Sequence, residues 1–218
     1  MDLDELFRRL AALDTACLCD AGPGVAVMDP AIRPVTDAPA MAGTAFTVAC
    51  AADFLQVLKA LQEARAGDVL VVDAGGGRRA VAGELFATEA ARKGMAGIVV
   101  DGAVRDSRSL HRIGLPVYAR HVHPRAGGSA AVSAHQLPVR CGGVLVHPGD
   151  VVVGDRDGVV VAGRGELERV LPAAERVQAA EATVLERMAA GESLFEHLNL
   201  DEHYASVSRG EPSSLRLG

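Results

Sequence analysis

The chain has 218 residues, 49% of them hydrophobic, enough for one domain with a substantial core. A net charge of −6 argues against a general nucleic-acid-binding surface, so an anionic ligand has to be captured locally, by helix dipoles, arginine or a metal ion. Cys17, Cys19, Cys50 and Cys141 form no CxxC pair and read as buried thiols of a reducing compartment; with no apolar run long enough to span a bilayer, the expected location is the cytoplasm.

Leu3, Leu6, Phe7, Leu10 and Leu13 recur at helical spacing, which predicts an amphipathic helix over 2–13 rather than a signal peptide. Asp14 stands where it caps a second short helix. Residues 22–39, rich in Gly, Pro and Asp, read as an ordered connector into a strand at 44–50. The segment 53–65, DFLQVLKALQEAR, predicts a helix with Phe54, Leu55, Leu58 and Leu61 as its buried stripe.

Residues 67–106, GDVLVVDAGGGRRAVAGELFATEAARKGMAGIVVDGAVRD, organise the rest. VLVVD and IVVD are short β-branched runs bounded by glycine and suit buried strands. The helix between them is expected to open near 82–84, with Glu84 in the first turn where the dipole favours an acid. It should close at Gly94 in a left-handed cap after Arg92 and Lys93. Arg105 and Asp106 then stand where the second strand ends.

A strand is expected near 116–119, followed by a glycine-bearing loop with a further strand around 130–133. His121 and His123 alternate there; without further ligands they are a weak metal signal and read as a solvated loop edge, a role at the pocket rim being the alternative. From Gly142, GGVLV, VVVG and VVVA alternate with tight turns and predict three successive strands, Asp157–Gly158 being the hairpin signal. Asp155 and Asp157 read as turn chemistry, because the acids that complete a calcium loop are missing. Residues 165–190 predict a long helix bent at Pro172 and ended by Gly191, with Val177, Ala180, Val184, Leu185 and Met188 turned to a core or partner. One α/β domain over 1–204 is expected, with a C-terminal tail over 205–218 that is mobile or lies along a partner.

In this reading the helix start and the end of the second strand face each other. The amides of Gly83, Glu84, Leu85 and Phe86, unpaired at a helix start, can bind a carboxylate, and Arg105 can take a second oxygen. Asp106 offers the hard oxygen that magnesium or manganese prefers, and Glu84 can hold one of the waters such an ion keeps. The only lysines, Lys59 and Lys93, lie in predicted helices among polar neighbours, so the desolvated lysine of a Schiff-base route is missing. VVDAGGG imitates the glycine turn of an S-adenosylmethionine fold. That fold needs a further acid for the ribose at the end of the next strand, whereas here the strand ends in Asp101 and runs straight into Arg105–Asp106.

Glu84, twenty residues, then Arg105–Asp106 resembles the acid-x20-Arg-Asp signature of the class II aldolases acting on 4-hydroxy-4-methyl-2-oxoglutarate. These are relatives of the regulator of ribonuclease activity A, often labelled demethylmenaquinone methyltransferase-like. MAGTAFTVAC, GDVLVVDAGG, GLPVYAR and PVRCGGVLVHPGDVVVGDRDGVVV extend the resemblance over most of the chain. It implies a single layered α/β domain with mixed sheets, of the swivelling ββα (phosphohistidine-domain-like) type and β-rich in its C-terminal half, assembled as a trimer or a hexamer. It further implies a lyase with a divalent cation, Mg2+ or Mn2+, on Asp106, and with Arg105 on the substrate. An acid from a neighbouring subunit's C-terminal helix aligns with Glu181, accompanied by Arg187, with Glu175 and Glu186 as competing positions. The implied reaction cleaves 4-hydroxy-4-methyl-2-oxoglutarate or a related 4-hydroxy-2-oxo acid to pyruvate and a second oxo acid, with oxaloacetate decarboxylation as a side activity. The resemblance implies no nucleic-acid or membrane partner. The alternative is a non-catalytic regulator; regulator-type members lack the aspartate after the arginine, so Asp106 favours an enzyme.

Overall fold

The computed structural model describes residues 1–37 and 40–217; Pro39, the end of the expected connector, lies outside the described residues. Helices α1 (Leu3–Leu10) and α2 (Thr15–Ala21) lead through short strands β1 (Ala26–Val27) and β2 (Arg33–Pro34) into β3 (Met41–Ala49). Strand and helix then alternate through α3 (Leu55–Glu63), β4 (Asp68–Ala82), α4 (Glu84–Arg92), β5 (Gly97–Val104), α5 (Ser107–Ile113) and β6 (Val117–Val122). Two hairpins follow, β7 (Val139–Cys141) with β8 (Val144–Val146) and β9 (Val151–Gly154) with β10 (Val159–Ala162). After them come α6 (Arg164–Ala189), a 3-10 turn (Leu194–His197) and α7 (Leu200–Ser208).

The result is a mixed α/β domain built on an eight-stranded sheet in the order β1-β10-β9-β3-β4-β5-β6-β2. β3 to β6 are parallel, because each is joined to the next by a crossover helix, and β9 adds to β3 antiparallel. Side chains alternate across β3: Phe46 and Val48 pack with Val57, Leu61, Ala87, Ala90 and Leu110 of α3, α4 and α5, whereas Met41 and Ala45 pack with Val139, Cys141 and Val146 of the β7–β8 hairpin. On β9 and β10, Val151, Val153 and Val160 meet Leu6, Leu10, Leu18, Leu167 and Leu171 from α1, α2 and α6. Truncating Leu167 or Leu171 to alanine would cost about 2–5 kcal/mol. No helix among the described residues is long and apolar enough to cross a membrane.

Several local expectations are corrected. The buried face of α3 is Gln56, Val57, Ala60 and Leu61, and Leu58 is 44% exposed. Gln56 is inside because its amide meets His135 at 2.7 Å, and the His135 ring stacks on Phe46. Residues 130–133 form no strand, since the amides of Ala130 and Ala131 donate to Asp53 at 2.8 and 3.0 Å. The run GGVLV leaves the expected meander, β8 pairing with β7 in a separate two-stranded sheet. α2 is capped by Asp155 rather than Asp14: Asp155 accepts from the Thr15 amide and hydroxyl at 2.7 and 2.9 Å, and from the turn amides of Asp157 and Gly158. That is turn and cap chemistry, as the sequence suggests. On α6 the core residues are Leu167, Val170, Leu171, Ala174 and Val184, whereas Leu185 is exposed. Residue 205 falls within α7, and beyond it Leu217 bridges back to Leu198. Cys17 and Cys141 are buried; Cys19 and Cys50 are half-buried.

Candidate active site

The site is shaped by β4, which does not stop at Asp73. Residues 73–82 run beside only residues 101–104 of β5, with register shifts at Gly77, Ala80 and Ala82. The excess passes through Gly75 and Gly76, both with positive φ, and lifts residues 80–82 out of regular register beside the end of β5; irregular strands recur next to active sites for this reason. α4 follows at once. It buries only Ala87 and Ala90, small side chains that let its axis come close to the sheet, so its first turn reaches the end of β5.

At that meeting point Asp106 has φ 60° and ψ 34°, a left-handed conformation that residues with a side chain rarely hold. Its Oδ2 accepts from the Glu84 amide at 3.2 Å and lies 3.4 Å from Arg105 Nε. Oδ1 accepts no hydrogen bond among the described residues. Gly83 makes the approach possible: a Cβ there would lie 2.6 Å from Asp106 Oδ2 and 2.9 Å from Arg105 Cγ. The backbone ties the two segments together, the Arg105 amide donating to the Ala82 carbonyl at 3.1 Å.

The helix start offers fewer free amides than expected. Phe86 donates to the Gly83 carbonyl at 3.1 Å and Glu84 to Asp106, which leaves those of Gly83 and Leu85 without an acceptor among the described residues. These groups border a cleft of about 180 Å³ lined by Phe54, Ala80, Val81, Ala82, Gly83, Leu85, Phe86, Arg105, Asp106 and Ala126. Phe54 and Phe86 meet edge to face at 6.1 Å. The volume is below the roughly 300–1,000 Å³ of sites for drug-sized ligands and suits a small acid.

Of the residues named from sequence, Gly83, Leu85, Phe86, Arg105 and Asp106 share this cleft, and Glu84 joins through its amide while its exposed side chain is free. Glu181 is elsewhere: its carboxylate is 3.7 Å from the Cys17 thiol, on the α2–α6 side of the same chain, and burial first and this carboxylate second push that thiol up to about 11. Glu175 accepts from Nε and Nη2 of Arg9, at 2.7 and 2.6 Å, which removes it as a free acid. His123 Nδ1 accepts from the Arg125 amide, and no three His, Cys, Asp or Glu side chains gather as a metal cluster among the described residues. Lys93 is bound to the carbonyls of Leu61 and Gln62, and Lys59 pairs with Glu63.

Two features escaped the sequence. Phe54 precedes α3 and lines the cleft rather than the helix stripe, and Ala126 reaches it from a loop whose composition carries no signal. A second charged cluster is structural. Arg120 donates to buried Asp101 at 2.6 Å and to Asp29 at 3.0 Å, while the Gly142 amide donates to the other Asp101 oxygen at 2.7 Å. Asp101 chiefly, and Asp29, hold the Arg120 guanidinium charged well above its ordinary range.

Asp106 keeps one hard carboxylate oxygen without a hydrogen bond among the described residues and the exposed Glu84 side chain is free; these are the donors that could hold an ion such as magnesium, which keeps most of its waters.

A model of the RraA-like family, described as Aldolase/RraA, matches residues 15–161. A Halalkalibacterium halodurans protein named "Putative 4-hydroxy-4-methyl-2-oxoglutarate aldolase" is 38% identical over 177 residues, covering 80% of this chain and 84% of that one. The chain belongs to the RraA-like family. Among solved structures, the RNA-processing inhibitor RraA from a Thermus species is 32% identical with a TM-score of 0.65, covering 69% of this chain and 92% of that one. An uncharacterised Pseudomonas syringae protein is 25% identical with a TM-score of 0.79, covering 89% and 93%. RraA-like membership therefore joins aldolase-named and inhibitor-named relatives around one fold.

Proposed function

We propose that this RraA-like protein is a divalent-metal-dependent class II aldolase that cleaves 4-hydroxy-4-methyl-2-oxoglutarate or a related 4-hydroxy-2-oxo acid to pyruvate and a second oxo acid. Oxaloacetate decarboxylation accompanies this at the same site. The observation that carries the reading is the meeting of an unspent Asp106 oxygen, the Arg105 guanidinium and the free amides of Gly83 and Leu85 around one small cleft. The name of the H. halodurans relative supports the same reaction class.

The pyruvate half places its carboxylate on the free amides at the positive end of the α4 dipole. Arg105, a planar two-pronged donor, holds the adjacent oxygen and stabilises the enolate as charge develops, work worth about a hundred- to thousandfold in rate for a single donor. Asp106 would hold a magnesium or manganese ion, with Glu84 towards one of its waters, and the ion when bound would supply Lewis-acid stabilisation of the same charge. Breaking C3–C4 of the hydroxy acid, or losing CO2 from oxaloacetate, leaves the same pyruvate enolate. Aldol cleavage also needs a proton acceptor for the C4 hydroxyl, which falls to a water positioned by Glu84 or by Glu181 of a neighbouring copy. The reading carries with it a trimer or hexamer, a fold of the swivelling ββα type and a cytoplasmic setting.

The test measures pyruvate release from both substrates side by side, with magnesium or manganese and after chelation. Chelation is expected to remove both activities, and Glu84→Gln to depress aldol cleavage more than decarboxylation. Equal losses refute the base-positioning role, and full activity after chelation refutes the metal. A second reading, a non-catalytic regulator, is favoured by the Thermus inhibitor among the structural neighbours. A rise in thermal stability with added divalent ion separates the two, because a ligand that binds only the folded state must raise it.

A further inference from the structure

The cleft has a basic rim. β4 carries more residues than β5 offers it partners, and the excess stands as an arch bearing Arg78 and Arg79, both exposed. Ala80 of this arch forms a parallel bridge with Ala126: its amide donates to the Arg125 carbonyl and its carbonyl accepts from the Gly127 amide, each at 2.9 Å. Both alanines line the cleft, and side chains alternate along an extended chain, so Arg79 and Arg125 are cross-strand neighbours just outside it. Arg105 lines the cleft itself, and Arg108 follows in the first turn of α5.

Like charges set side by side are destabilising unless something answers them. No group of the protein does so here: the side chains of Arg78, Arg79, Arg108 and Arg125 make no hydrogen bond or ion pair among the described residues. Arg92, Arg169 and Arg209, by contrast, each pair with a nearby glutamate. The acids at the root of the arch lie too far back to offset the rim. Asp73 and Asp101 are register partners, and Asp101, four residues before Arg105, stands about 13 Å back along β5, where it and Asp29 are held by Arg120. That exceeds the Debye length of about 10 Å at 0.1 M salt, whereas the arginines adjoin the cleft. The acids at the cleft, Glu84 and Asp106, are the donors for a divalent ion.

We infer that Arg78, Arg79, Arg108 and Arg125 form an electrostatic collar that gathers anionic substrate to the cleft, in a chain whose net charge of −6 otherwise repels it. The inference rests on the aldolase reading and adds a capture step to it. The apolar wall of Phe54, Phe86 and Leu85 concentrates the field in the opening, because low-dielectric walls focus field lines. A collar of this kind needs charge near the mouth and no fixed contact with the ligand. Lysine therefore serves in it as well as arginine, unlike at Arg105, where the planar fork is needed.

The experiment measures kcat/KM for 4-hydroxy-4-methyl-2-oxoglutarate cleavage and for oxaloacetate decarboxylation, on the full chain with saturating magnesium, from about 10 mM to about 0.5 M potassium chloride. Wild type is compared with the triple variant Arg78→Gln, Arg79→Gln, Arg125→Gln and with the same three positions changed to lysine. All three side chains are exposed and unpaired among the described residues, so neither triple removes a contact within the protein. The glutamine triple is expected to lose about tenfold at the lowest salt and to come within about twofold of wild type at the highest. The lysine triple is expected to follow wild type throughout. A glutamine deficit that persists at high salt, no deficit at low salt, or an equal loss in the lysine triple overturns the collar and leaves the aldolase reading standing. A wild type without either activity overturns both.

Discussion

Two aspartates, Asp155 at the β9–β10 turn and Asp106 at the end of β5, both sit at a chain reversal and both accept an amide from the first turn of a helix. At the β9–β10 turn both carboxylate oxygens are engaged: one takes the Thr15 amide, the other the Thr15 hydroxyl and two turn amides. At the end of β5 one oxygen is tied and the other is open, on a left-handed backbone beside an arginine and a small cleft. The difference teaches how one residue type serves structure or chemistry. Engaged oxygens hold elements together, whereas an unspent oxygen on a carboxylate placed by a left-handed backbone and one amide contact is available to a ligand.

The comparison breaks most sharply in a pair of substitutions. Asp106→Ala is expected to abolish aldol cleavage and decarboxylation while leaving the circular dichroism spectrum native. Asp155→Ala is expected to cost about 2 kcal/mol or more in stability, since it uncaps α2 and strands buried Thr15, with activity per folded molecule retained. Denaturant unfolding and steady-state rates on both variants check this, and the reverse pattern would sink the comparison.

Next in size is Arg105→Lys, which replaces a two-pronged donor by a point charge and should lower kcat on the order of a hundredfold or more. A rate within a few-fold of wild type would assign the enolate to another group. Gly83→Ala should cost roughly ten- to hundredfold, because the new Cβ displaces Asp106 Oδ2 from its seat, and small misplacements at a reacting centre are expensive. Here the measurement is kcat/KM alongside metal affinity, and unchanged values for both would remove the close approach from the argument.

The smallest effect concerns Asp53, whose carboxylate is held below its ordinary range first by the Ala130 amide, with those of Leu55 and Ala131 adding. A depressed carboxyl contributes stability that is complete above the unfolded value of about 3.9 and fades as pH falls through the lower folded value. Hydrogen exchange at Ala130 and Ala131 should therefore be protected at pH 6 and lose that protection, beyond the intrinsic pH effect, only below about pH 4. Asp53→Asn should weaken it at every pH; an unchanged profile in the variant would show the loop is held by other contacts.

What the sequence determined by itself was local. The opening of α4 near residue 84, its left-handed stop at Gly94 with φ 71°, the hairpin at Asp157–Gly158 and the place of Arg105–Asp106 at a strand end all follow from neighbours a few residues apart. Glycine sterics, caps and dipoles act at that range, so they are legible in one dimension. Tertiary structure decided the rest. Gln56 rather than Leu58 is buried on α3 because His135, far along the chain, supplies its partner; Asp155 rather than adjacent Asp14 caps α2; β8 pairs with β7; and Phe54 turns to the cleft. Each of these depends on which distant groups satisfy a polar atom or cover an apolar one, and hydrophobic periodicity, which reports only how many faces are greasy, carries no record of the partner.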